Sequence, residues 1–269
     1  MENDNGLAKL QLCEKNILRA FICACEKCGL KYYLIYGSCL GAVRHKDIIP
    51  WDDDIDVAMP REDYEKFMAT GQQYLPEYYF LQNYNTDPEY LGCFAKIRDS
   101  RTSFIESGVK TRKMNHGVYI DIFPIDYYPR MNIKKFKLLL FLYKARLSAE
   151  FSSAASAKMR IVQFFAKIIF PNLDKTRRRL NALVSNTQKS DLTVIAFGTS
   201  LDESTIPAVW YGNGAKAQFG DIEVIIPEDY DKFLTKVYGD YMTPPPVTNR
   251  TGHSTNIIDT EKPYTEYMK

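Results

Sequence analysis

The sequence predicts an α+β protein, and three observations carry that expectation. Apolar residues recur at three- and four-residue steps over Leu7–Gly29, the mark of an amphipathic helix. Short β-rich runs bounded by Gly and Pro then alternate with helical stretches through the first half. From Lys134 to Arg179 the periodicity is helical again and the charge strongly basic. A chain of 269 residues, 45% hydrophobic and 25% charged, is long enough to bury a substantial core.

Taken in order, Leu10, Cys13, Ile17, Phe21, Ala24 and Cys28 give the first helix its apolar stripe, and Gly29 ends it. KYYLIY (Lys31–Tyr36) has strand composition, and Gly37-Ser38 breaks it. A short helix over Ser38–Arg44 with Ser38 as N-cap follows. Ile55–Met59 is a short strand stopped by Pro60, and Arg61–Tyr74 a helix with Tyr64, Phe67 and Met68 on one face. Further strands are expected over Tyr78–Gln82, Cys93–Arg98 and Val118–Phe123, the last closed by Pro124. The middle divides into two or three helices separated by SSAASA and Pro171. A Pro-capped helix over Pro227–Tyr238, with Gly239 past its end, leads to PPP and a polar tail.

Net charge is only +2, but residues 131–180 hold twelve Lys and Arg against Glu150 and Asp174. That segment carries +10 and the remainder −8, an asymmetry that calls for an anionic partner. The start, MENDNG, lacks a secretory pattern, and the longest convincing apolar run, LLLFLY, is far below the roughly 18 residues of a membrane span. The expectation is a cytoplasmic protein. The six cysteines agree: Cys25 and Cys28 form a CxxC without a second pair at zinc spacing, so buried free thiols are expected.

Four aspartates occupy five positions in WDDDID (Asp52, Asp53, Asp54, Asp56). Alternation along a strand puts Asp54 and Asp56 on one face and Ile55 and Val57 on the other. Two carboxylates so close repel unless a cation lies between them, and hard oxygen donors suit Mg²⁺, with Mn²⁺ as a substitute. Upstream, the Gly37-Ser38 turn leading into a helix offers backbone N–H groups to a phosphate. A third carboxylate, Asp121, lies in the apolar strand VYIDIFPID and needs a cation or donors of its own. These are the parts of metal-dependent phosphoryl or nucleotidyl transfer. The competing account is a solvated turn and an Asp121 paired with a nearby Lys or Arg.

GSCLGAVRHKDIIPWDDDIDVAMPREDYEKF (Gly37–Phe67) closely resembles the LicD family, which includes the fukutin-related proteins. HGVYIDIFPID (His116–Asp126) matches its second block, and PEDYDKFLTKVYGDYMTPP resembles its C-terminal one. The resemblance implies a nucleotidyltransferase-like core akin to DNA polymerase beta, with a small mixed sheet flanked by helices and here a basic helical insertion. It implies transfer of a phospho-substituent from a CDP-linked donor to a glycan, phosphocholine from CDP-choline being the best-known case. By that likeness Asp54 and Asp56 are metal ligands, Asp121 the third ligand or the general base, and Gly37 and Ser38 the phosphate-contacting turn. Where family members often show a histidine pair after an arginine, this chain has Arg250 and then His253 alone. The expected division is a catalytic core over 1–130, a basic helical subdomain or lid over 131–190, and a C-terminal segment over 191–269 packing back on the core.

Other residues keep two readings each. Arg44 reaches the pyrophosphate or pairs with Asp52 or Asp53. Lys96 and Arg98 share a strand face that binds donor or meets solvent. Trp51 stacks on a base or caps the core. Among nineteen tyrosines, Tyr36 and the pair Tyr127-Tyr128 are the candidates for a cage around a quaternary ammonium. His253 touches substrate or lies on the tail. The stripes Phe136/Leu139/Leu140/Tyr143/Leu147 and Ile161/Phe164/Phe165/Ile168 pack on the core, or rest on anionic lipid at the inner face of the plasma membrane beneath a lipid-linked glycan acceptor. No nucleic-acid module is present in the basic segment, and nucleic acid is not expected as a partner.

Overall fold

The computed structural model describes residues 2–129, 133–151, 156–198, 200–250 and 255–268. Its first element, α1 (Glu2–Cys28), is the expected N-terminal helix, begun at Glu2 rather than Leu7. Leu10, Ile17, Leu18 and Phe21 are fully buried along one face. Gly29 ends the helix at φ +62°, where an L side chain would be strained. The strand β1 (Tyr33–Leu34) is shorter than KYYLIY suggested, because Tyr36 takes a φ of +46° and turns the chain into α2 (Tyr36–Leu40). That helix starts before Ser38, and its N-cap is Ile35, so the expected Ser38 cap is not formed. A π-helical turn over Gly41–His45 continues it.

The central sheet is built from β1, β2 (Asp56–Pro60), β3 (Tyr79–Gln82), β4 (Ala95–Asp99) and β6 (Val118–Tyr127), with β5 (Ser103–Glu106) outside it. Strand order is β1-β2-β6-β4-β3, with β2 and β6 parallel and the other pairs antiparallel. The α3 helix (Arg61–Thr70) leaves β2 directly and gives way to a 3-10 turn over Gly71–Tyr74. Phe21 of α1 meets Phe67 of α3 edge-to-face at 5.2 Å, a contact worth about 0.5–1.5 kcal/mol beyond its buried area.

Pro124 does not close β6, which runs on to Tyr127. The reason is directional. The Asp121 N–H points to the Ile55 carbonyl beside β2, so N–H groups of even-numbered residues face the β4 side. There β4 begins opposite Ile122, and Pro124 has no ladder partner to lose. Past it, Asp126 and Tyr127 pair with a further strand described below.

The basic middle forms α4 (Ile133–Phe151), α5 (Ala157–Ile169) and α6 (Leu173–Ser185), as its breaks suggested. Phe136, Leu140 and Tyr143 of α4 join Leu180 and Val184 of α6 and Cys93 in a second apolar cluster. The stripe on α5 behaves otherwise: Ile161, Phe164, Phe165 and Ile168 are exposed. After α6, β7 (Leu192–Val194) pairs with the end of β6, and α7 (Leu201–Ser204) leads to β8 (Thr205–Pro207).

A hairpin of β9 (Ala215–Phe219) and β10 (Ile222–Ile226) turns at Gly220, φ +65°, and precedes α8 (Tyr230–Tyr238). Phe219, Val224, Phe233 and Leu234 enter the same core as α1. Finally β11 (Thr255–Asp259) pairs with β5. All six cysteines are free thiols; Cys25, Cys39 and Cys93 are buried, whereas Cys23 is exposed. No helix among the described residues is long and apolar enough to cross a membrane.

Candidate active site

Strand register places three chemically active side chains in one row. Asp56 of β2 stands opposite Asp121 of β6, and Asp121 stands opposite Lys96 of β4. In-register neighbours project on the same face, so the three lie side by side across adjacent strands. Lys96 Nζ donates to Asp121 Oδ1 at 2.6 Å and sits 3.3 Å from the centre of the Tyr119 ring. The isolated Asp121 thus has the donor that its burial demanded. Lys96 is itself buried, so it is not part of a solvated face.

At the Asp56 end of this row the chain opens a cavity of about 460 Å³. Asp52, Asp54 and Asp56 all line it, together with Tyr36, Gly37 and Arg44. Alternation therefore extends one step further than expected, to Asp52, while Asp53 is buried. Asp54 precedes β2 rather than belonging to it. The turn ahead of the aspartates is held from α1: Gln11 Nε2 donates to the carbonyls of Ile49 at 3.2 Å and Asp52 at 2.9 Å. A Cβ on Gly37 would lie 2.8 Å from Asp52 Oδ2, so a larger residue there would displace this carboxylate from the first turn of α2.

Burial first, and the crowding of negative charge after it, shift the carboxyls of this region. Burial, then Asp54, Asp121 and Asp52, push the Asp56 carboxyl well above the usual range, with Lys96 pulling it back. Asp121 is also raised, by burial, against the opposing pull of Lys96. Behind the aspartates, Glu14 of α1 is buried with no hydrogen-bond partner for Oε2. Its carboxyl is raised well above normal by burial and then by Asp54, Asp53, Asp52 and Asp121.

A carboxylate set of this kind fits a hard cation, which takes oxygen ligands. Asp52, Asp53 and Asp54 each bring one carboxylate oxygen within 4.8 Å of the others. This cluster differs from the expected trio of Asp54, Asp56 and Asp121; Asp54 belongs to both.

Several expected contacts take another form. The Ser38 hydroxyl is buried and accepts from the Asp56 backbone N–H at 2.8 Å, so the side chain fixes the start of β2, while Gly37 of the same turn lines the cavity. Arg44 Nη1 donates to the Tyr241 carbonyl at 2.6 Å, tying the cavity wall to the C-terminal segment. Arg98 is fully buried, donating to Gln82 and to the Gly117 carbonyl at 2.8 Å, with Tyr119 over its guanidinium. Neither donor binding nor a solvent-exposed face describes it. Tyr127 lines a different cavity beside Arg61 and Lys189, away from Tyr36. His253 lies outside the described residues.

Other participants come from distant sequence. Tyr238, Tyr241, Thr243 and Pro245 complete the acidic cavity, and Trp51 lines it with Arg250 stacked 4.0 Å from its ring. The Tyr238 phenol is raised, by desolvation first and then by Asp56 and Asp52, as befits a ring facing the acids. Gln11 and Glu14 left one usable signal: Glu14 falls on the same stripe as Leu10 and Ile17, where an acid is out of place. On the other side of Lys96 lies a second cavity of about 490 Å³, lined by Tyr90, Phe94, Val109, Met114 and Leu147.

The fold and this acid-lined cavity define a mixed α+β protein with a carboxylate cluster able to hold a cation. Residues 29–171, more than half of the chain, match the family model described as LicD/FKTN/FKRP, nucleotidyltransferase domain, and the chain belongs to that LicD family. It is 29% identical over 259 residues to the lipopolysaccharide cholinephosphotransferase LicD of Haemophilus influenzae, covering 92% of this chain and 95% of that protein. Ribitol 5-phosphate transferase FKRP of Homo sapiens is 55% identical over 38 residues, covering 14% of this chain and 8% of FKRP.

Proposed function

We propose that the chain transfers phosphocholine from CDP-choline to a hydroxyl of a cell-surface glycan precursor, of lipopolysaccharide or teichoic-acid type, and releases CMP. The observation that carries this reading is the composition of one cavity. It sets Asp52, Asp54 and Asp56 against Tyr36, Trp51, Tyr238 and Tyr241. Carboxylates suit a cation that accompanies a pyrophosphate, and aromatic faces with nearby negative charge suit a trimethylammonium group. The similarity to a cholinephosphotransferase along nearly both full lengths supports the same cargo. The core over 1–130 is read as nucleotidyltransferase-like, with 131–190 as a helical subdomain and 191–269 closing the cavity through Tyr238 and Tyr241. Six free thiols accord with a cytoplasmic setting.

In this reading Asp54 and Asp56 would hold Mg²⁺, and a cation bound there would supply charge neutralisation to the donor pyrophosphate. Gly37 lets Asp52 and the donor approach the α2 backbone. Asp121, oriented by Lys96, aligns the acceptor hydroxyl and takes its proton as the oxygen attacks the phosphorus bearing choline; the bond to the CMP oxygen breaks as the new one forms, and CMP leaves as its phosphate anion. The apolar cavity beyond Lys96 receives the acceptor. A ribitol-phosphate cargo is the second reading, favoured by the FKRP match in one short block. A thermal-shift panel of CDP-choline, CDP-ethanolamine, CDP-ribitol, CTP and ATP, each with and without Mg²⁺, separates them. Stabilisation by CDP-choline that requires Mg²⁺ is expected. A response to CDP-ribitol alone moves the cargo, and a response to CTP alone removes the proposal.

A further inference from the structure

We infer that the outward face of α5 is a docking surface for an anionic lipid bilayer. Ile161, Phe164, Phe165, Ile168 and Ile169 recur at the spacing of one helix face, and each is 54–61% exposed. The inward positions are filled by Gln163, whose Nε2 donates to Ser148 Oγ at 3.0 Å, and by Ala166; both are buried. A surface helix ordinarily turns its apolar stripe to the core and its polar side to water. On α5 the apolar stripe faces water as well. The neighbouring α4 adds Leu138 and Phe141, each more than half exposed.

Charge selects the occupant. Lys158, Arg160 and Lys167 on α5 and Lys134, Lys135 and Lys137 on α4 are exposed beside the apolar residues. They belong to the segment with twelve basic residues and two acidic ones. Pairing this face with a second copy would bring two such basic surfaces together, which like-charge repulsion opposes. A purely polar polyanion would leave the isoleucines and phenylalanines in water. A bilayer with anionic headgroups satisfies both: hydrocarbon takes the stripe, and headgroups take the lysines. Leu147 of α4 also lines the cavity that opens on Lys96, so docking would hold that cavity near the headgroups. The inference does not depend on which group is transferred.

The test is flotation of the full chain with vesicles of phosphatidylcholine alone and of phosphatidylcholine mixed with phosphatidylglycerol. Binding to the mixed vesicles, weakened by high salt, is expected. Phe164→Ser combined with Phe165→Ser should reduce that binding about tenfold or more while circular dichroism melting is unchanged. Should that variant not fold, Lys134→Glu, Lys135→Glu and Lys137→Glu together provide the second arm, again with loss of binding. No wild-type binding to mixed vesicles overturns the inference. So does equal binding by wild type and a folded variant. A dimer in sedimentation equilibrium that the phenylalanine variant dissolves, without vesicle binding, assigns the face to a second copy instead.

Discussion

The sheet centre and α5 depart from the usual disposition of side chains in opposite directions. The sheet buries Lys96, Arg98, Asp121 and Asp126, whereas α5 exposes a full apolar stripe. In the sheet most of these departures are answered from within, although Arg98 Nη2 has no hydrogen-bond partner among the described residues. Lys96 meets Asp121, and Arg61 meets Asp126 through two bonds of 2.7 and 2.6 Å. On α5 nothing among the described residues covers the stripe. The difference teaches where each group's free energy is settled. Buried charges are balanced inside the folded chain, so removing one partner should damage the fold. Exposed apolar groups contribute little to that balance, so removing them should affect only what docks.

The largest effect expected from this comparison is at Lys96. Lys96→Met leaves Asp121 buried without its partner and should cost about 3–5 kcal/mol in urea unfolding. Replacing both, Lys96→Met with Asp121→Leu, should recover most of that loss, because an apolar pair of similar size needs no partner. A double variant no more stable than Lys96→Met would show that the ion pair is not what the sheet centre depends on.

Next is the acidic cavity, where function and stability should separate. Asp54→Asn should lower transfer by on the order of 10²–10³, comparable to removing one preorganised transition-state contact. The melting temperature should hold or rise, since one of several crowded negative charges is gone. Rates near wild type would remove Asp54 from the site.

A smaller effect concerns His116, which is fully buried with Nε2 2.9 Å from the Arg112 carbonyl. Burial holds its pKa below the ordinary 6.5. The unfolded chain therefore takes up a proton below about pH 6.5 that the folded chain refuses. Stability should be untouched above that pH and fall as the pH drops from there toward the folded-state pKa. Within that window the loss is at most about 1.4 kcal/mol per pH unit. His116→Gln should reduce the acid dependence of melting between pH 7 and 5; identical slopes in both proteins would exclude His116 as its source.

The smallest effect is at α5. Phe164→Ser with Phe165→Ser should change stability by less than about 0.5 kcal/mol, the range of surface substitutions away from structural contacts. A large loss would mean that the stripe packs within the chain after all.

How much of this was legible in the sequence follows from the range of the interactions. The helix α1, its stop at Gly29 and the shared side of Asp54 and Asp56 are local patterns, and they were readable as such. Lys96 and Arg98 were readable as sharing a face. What covers that face was not, because Gln82, Gly117 and Tyr119 reach Arg98 only through strand pairing. The same holds for the row Asp56–Asp121–Lys96, which exists only once register is set. Periodicity found the α5 stripe but carries no information on which side of the helix the protein lies. Tyr238 and Tyr241 reach the cavity from a segment nearly two hundred residues away. One local signal went unused: AKAQF and IEVII flank a Gly-Asp turn and form the β9–β10 hairpin.

The most direct measurement of the central claim is product analysis with CDP-choline labelled in its methyl groups, Mg²⁺ and a cell-envelope glycan acceptor. Label should appear on the glycan in amounts equal to the CMP released, and Asp54→Asn should lower both by on the order of 10²–10³. Pyrophosphate release from CTP with no transfer of label would contradict the account, as would binding of CDP-choline without metal and without turnover.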